Sequence, residues 1–88
     1  MTRRIWILLS DYTEHRFLTH QTQVMAYRSK RKARKAMERY IERRKEQLEA
    51  DNKKIAKLNV DEISGVITTG TRENYEAWSY VIFERRIK

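Results

Sequence analysis

Residues Ile5 to Leu9 are apolar at every position, and Trp6 together with the β-branched Ile5 and Ile7 favours an extended chain. An unbroken apolar run of this length predicts a strand with neighbours on both sides, over about 3–10, followed by turn chemistry in Ser10 to Glu14. From Arg16 to Tyr27 the chain is rich in Thr, Phe, Val and Tyr with a loose period of two and a polar middle at His20 to Gln23, which predicts an edge strand over about 16–27. Two further strands are expected over about 62–69 and 75–87, joined by a hairpin loop that contains Gly70. Trp78, Tyr80 and Ile82 alternate with Ser79, Val81 and Phe83, so both faces of the last strand carry apolar groups and it belongs inside the sheet.

Between these hairpins the period changes. Ala33, Ala36, Met37, Tyr40, Ile41 and Leu48 recur at spacings of three, four and seven, with Ser29 in place as an N-cap, and predict an amphipathic helix over about 29–52. A helix continued to Leu58 would be about 45 Å long, against less than about 20 Å for the width of four strands, so it must overshoot the sheet or break. Arg44 interrupts the apolar stripe, and Asp51 and Asn52 form helix poorly, which places the end of the docked part between Arg44 and Asn52. Lys53 to Leu58 is expected as a short second helix or as a continuation covered by another subunit through Leu48, Ile55 and Leu58. The expected fold is one α+β domain over 1–88, a four-stranded, mainly antiparallel β-β-α-β-β sheet with one long basic helix on one face.

Composition narrows the function. The chain has 88 residues, no cysteine and no proline, which excludes disulfide frameworks, thiol chemistry and Cys-based zinc sites and points to the cytoplasm. The apolar run at Ile5 is too short for a membrane span, so no membrane partner is expected. Arg28 to Lys45 carries ten Lys or Arg against two Glu, a surplus equal to the whole formal charge of +8. Six of those cations, Arg28, Lys30, Arg31, Lys32, Arg34 and Lys35, surround the helix N-terminus, where the helix dipole favours acids and a capping box would place Glu at position 32. Cations against a local rule, beside open backbone N–H groups, mark a phosphate-binding surface. Arg39, Arg43 and Arg44 extend it along the helix. The competing view, that the charges only solubilise the helix, fits the later part better, where Glu38 and Glu42 lie three residues from Lys35 and Lys45.

Other chemistry is thin. The aromatics Trp6, Tyr12, Phe17, Tyr27, Tyr75, Trp78, Tyr80 and Phe83 suit packing or a dimer interface better than a base-stacking platform on the uncovered sheet face. His15 and His20, with Asp11 and Glu14 nearby, sketch a metal site or a general base, but their spacing puts the two imidazoles on opposite faces of a regular strand. No phosphate-cradling Gly loop and no argued catalytic set stands out, so no catalytic residue, metal or cofactor is assigned.

The strand Arg4-Ile5-Trp6-Ile7-Leu8-Leu9-Ser10, the run Val24-Met25-Ala26-Tyr27-Arg28-Ser29-Lys30-Arg31-Lys32-Ala33 leading into a helix, and the closing Tyr80-Val81-Ile82-Phe83-Glu84 resemble a diffuse class of short proteins of bacteriophages and mobile elements. The resemblance implies a small accessory protein that binds and modulates a host macromolecule, such as a transcription, replication or defence complex (CRISPR among the latter), in the host cytoplasm. The chain departs from the class by placing cations at the helix start where acids are usual.

Three functions follow as expectations. The first is a non-enzymatic protein that contacts a polyanion, above all nucleic acid, through the basic helix. The second is a phage-encoded modulator that docks the same helix on an acidic or nucleic-acid-bound host protein. The third is a small metal-dependent nuclease resting on His15, His20 and Asp11. A homodimer through Leu48, Ile55 and Leu58, or through the open sheet face, is compatible with all three.

Overall fold

The computed structural model describes residues 3–14, 19–71 and 74–87. The elements are β1 (Arg3–Glu14), β2 (Thr19–Tyr27), α1 (Lys30–Ala50), β3 (Ile55–Val60), β4 (Ser64–Thr71) and β5 (Asn74–Ile87). They form one antiparallel sheet in the order β2-β1-β5-β4-β3, with α1 across one face. The chain is thus α+β with five strands, not four. β2 is an edge strand and β5 an interior one, as the apolar patterns indicate. β1 runs on through the expected turn to Glu14, because Asp11 to Glu14 pair with both β2 and β5.

The added strand corrects the expectation for Lys53 to Leu58. The helix stops in a Schellman motif: Asn52 adopts the left-handed conformation at φ 57°, its N–H donates to the Glu49 carbonyl (3.1 Å), and the Lys53 N–H reaches back to the Leu48 carbonyl (2.9 Å). These bonds satisfy carbonyls that a longer helix would have used and turn the chain back toward the sheet. At the other end the Ser29 hydroxyl accepts from the Lys32 N–H (3.2 Å), the expected N-cap. β3 then pairs with β4, with a bulge between Ile55 and Lys57.

The core lies between α1 and the sheet. Leu8, Met37 and Ile67 are fully buried, and Ala33, Ile41, Leu48, Trp78, Tyr80 and Ile82 complete the cluster. Leu48 is therefore part of the chain's own core, and Ile55 packs against it; of the three residues expected at a subunit contact, Leu58 is the exposed one. Gly65 lets the helix approach β4, since a Cβ there would run into Ile41 Cδ1. Buried Thr69 donates its hydroxyl to the Lys54 carbonyl (2.6 Å), so the polar side chain under the helix is satisfied. Trp6, Tyr12, Trp78 and Tyr80 all belong to or pack on this core, so they build no platform on the opposite face. That opposite face is apolar but uncovered, with Val24, Val81 and Phe83 exposed around the half-buried Ile7 and Leu9. No helix among the described residues is long and apolar enough to cross a membrane.

A candidate polyanion-binding groove

At 100° per residue, positions 32, 36, 39, 40 and 43 of α1 share the flank that faces β2, while 31, 34, 38, 45 and 49 share the flank that faces β3 and β4. The sequence segregates charge between them. Lys32, Arg39 and Arg43 lie on the β2 flank without an acid, whereas the other flank mixes Arg31, Arg34 and Lys45 with Glu38 and Glu49.

The structure turns this segregation into a site. A groove of about 350 Å³ runs between α1 and β2, lined by Lys32, Lys35, Arg39 and Arg43, with the half-buried Tyr27 and Tyr40 in its wall. None of the four cations forms an ion pair among the described residues. All four are exposed. Four like charges held on rigid helix positions three and four residues apart give a continuous positive strip rather than isolated surface charges.

The remaining candidates go elsewhere. Lys30 pairs with Glu62 of the β3–β4 turn (3.3 Å) and sits 5.9 Å from the Trp6 ring centroid. Arg34 pairs with Glu38 one turn along (3.2 Å). Arg31 is exposed, on the flank away from the groove, and Arg28 is exposed in the turn before the helix. Arg44 points inward: its guanidinium lies 4.7 Å from the Trp78 ring centroid, and Nη1 donates to Gln47 Oε1 (2.8 Å). A cation in the apolar stripe is tolerated because the indole face stabilises it, and the helix continues past it to Ala50. His15 and the side chain of His20 lie outside the described residues.

Tyr40 is the groove residue that the sequence pattern conceals, since its position in the apolar stripe assigns it to the core. Its hydroxyl instead reaches Met25 Sδ (3.1 Å), on the edge strand. Tyr27, which shares that sulfur at 3.8 Å, has its phenol held above the usual range by burial and by the neighbouring Tyr40. The Tyr27 phenol therefore stays neutral at physiological pH and adds no negative charge to the groove. No protein-family model, curated protein or solved structure matches this chain.

At the far end of α1 a second charged cluster is internally balanced. Burial alone would raise the Glu76 carboxyl, but the Lys53 ammonium (3.0 Å) and the Tyr12 hydroxyl (2.8 Å) donate to it and, with the Arg44 charge, hold it below the usual carboxylate range. Lys53 is raised in turn, chiefly by its hydrogen bond to Glu76. Tyr12 is raised by burial and by the two acids, Glu76 and Glu14, that accept from it.

Proposed function

We propose that this is a non-enzymatic binding protein of the cytoplasm that holds a polyanion, nucleic acid above all, along the β2 flank of α1. The observation that carries the reading is the convergence of Lys32, Lys35, Arg39 and Arg43 on one groove, with no acid paired to any of them among the described residues. Phosphates spaced along a strand match such a strip, and neutralising them releases counterions, which drives binding at low salt. The contacts go to the backbone, so affinity is sequence-tolerant.

The test is the salt dependence of binding to an oligonucleotide. Four phosphate contacts predict a slope of log K against log salt of magnitude about 3 to 4, a loss of about a hundredfold between roughly 50 and 200 mM salt. A slope near zero, or no binding at low salt, refutes the reading.

A second reading, a modulator that docks on a host protein complex, has separate support in the uncovered sheet face, where Val24 is 62 % exposed and Phe83 39 %. Exposed apolar surface of this kind suits a protein partner. A stoichiometric protein that stays bound after nuclease treatment would favour it.

A further inference from the structure

The groove does not end at Tyr40. On the same side of α1, a second concavity of about 440 Å³ opens between the later half of the helix and the sheet, and Tyr40 borders both. Its walls are aromatic: the Tyr12 and Trp78 rings lie 5.2 Å apart, and the Tyr40 and Tyr80 rings are parallel to within 4° with centroids 6.4 Å apart. Its floor is polar and uncharged, since Ser10 stands opposite Gln23 and Tyr12 opposite Gln21 on the helix-facing side of β1 and β2. Arg44 and Glu76 close the rim. The Glu76 charge is already matched by Lys53 and Tyr12, so it does not repel a neighbouring anion as a free carboxylate would.

An occupant thus meets the half-buried Tyr12 and Tyr40 rings, with Trp78 lying beneath the Arg44 guanidinium, together with amide and hydroxyl groups that both donate and accept. That combination recognises a flat heterocycle with donors and acceptors on its edge. The cleft is large enough for one such ring system, and it adjoins a strip of four cations through a shared tyrosine.

We propose that this cleft takes one unpaired base of a single-stranded nucleic acid whose phosphates lie along Lys32, Lys35, Arg39 and Arg43. The inference rests on the polyanion reading above and adds what that reading leaves open, the choice of single strand over duplex. A duplex keeps its bases stacked and paired, and must give up both to place one in the cleft. A single strand presents its bases unpaired, and stacking on aromatic side chains rewards each one inserted.

Trp78 is one of only two tryptophans, so a Trp6→Phe protein reports on the cleft alone. That protein is titrated with a mixed-sequence single strand of about twelve nucleotides, an abasic strand of the same length, the corresponding duplex and a mononucleotide. The single strand is expected to quench Trp78 fluorescence and to bind about tenfold more tightly than the abasic strand. Gln21→Ala with Gln23→Ala should weaken that preference, by removing the amide contacts but not the stacking, while leaving the salt slope unchanged. Equal affinity for intact and abasic strands without quenching overturns the base cleft and leaves the polyanion reading standing. A duplex or a mononucleotide that binds as tightly as the single strand overturns the assignment to single strands. No binding of any strand at low salt overturns both proposals.

Discussion

Reversing Lys32, Lys35, Arg39 and Arg43 to Glu is expected to abolish nucleic-acid binding without loss of fold. A charge-matched control, Arg31, Arg34, Lys45 and Lys57 to Glu, is expected to keep affinity within about tenfold of the parent. Each set brings the formal charge from +8 to zero, so a difference between them cannot come from net charge. Groove cations touch the phosphates, whereas Arg31, Arg34 and Lys45 on the other flank act across a helix diameter of about 10 Å, comparable to the Debye length of about 8 Å at physiological salt. Lys57 lies on β3, at the sheet edge opposite β2. The groove variant should also fold well. Its four positions are exposed, and two lie near the helix N-terminus, where acids suit the dipole. Glu at position 32 also completes a capping box with Ser29, whose hydroxyl already accepts from that residue's N–H. Thermal unfolding followed by circular dichroism should show the groove variant still unfolding cooperatively. The gains at the helix start offset the new like-charge pairs of positions 35, 39 and 43 with Glu38, Glu42 and Glu46, and its loss of binding is then a loss of contacts.

The second large effect is on stability. Met37→Ala is expected to destabilise the domain by about 2–5 kcal/mol, because Met37 is fully buried in the middle of α1 and its removal leaves a cavity between the helix and the sheet. For a domain of this size each kcal/mol corresponds to about 4–8 °C, so the melting temperature should fall by on the order of 10–30 °C. Val24→Ser, at an exposed position on the other sheet face, should shift stability by less than about 1 kcal/mol. Urea denaturation of both variants separates the two cases. A loss of several kcal/mol at Val24 would mean that a second subunit covers that face in solution.

Much of this architecture is legible in the sequence, because period-two alternation in β5, the apolar run in β1 and the Ser29 cap each have a single local meaning. β3 is not legible, for a specific reason. Ile55 and Leu58 are three apart, a helical spacing, yet both pair with residues on the helix-facing side of β4, Thr69 and Ile67. The bulge after Ile55 inserts one residue and turns a strand spacing of two into three. The stop at Asn52 is equally quiet, since asparagine in place of glycine at the left-handed position gives a weaker signal.

The candidate site was legible as a basic segment but not as a groove. Read along the chain, the surplus divides at Glu38, with uncompensated cations before it and balanced ones after. The fold divides it around the helix axis instead. Lys30 finds Glu62, which is remote in sequence, and Arg34 finds Glu38, while Arg39 and Arg43 join Lys32 on the flank without acids. Lys35 reaches the same groove from the solvent-facing side, beside Glu42 and Glu46. Only the docking of α1 against β2 decides which flank is which, and that docking is a tertiary fact.

The central claim is that this flank, and not the basic helix at large, holds the polyanion. Lysine acetylation read by mass spectrometry, with and without a single-stranded oligonucleotide, tests it most directly, since both flanks report in one sample. Lys32 and Lys35 are expected to be protected at least about fivefold, while Lys45 and Lys57 react at the free rate, in line with contact rather than long-range screening. Equal protection of all four, or protection of Lys45 and Lys57 alone, would contradict the account.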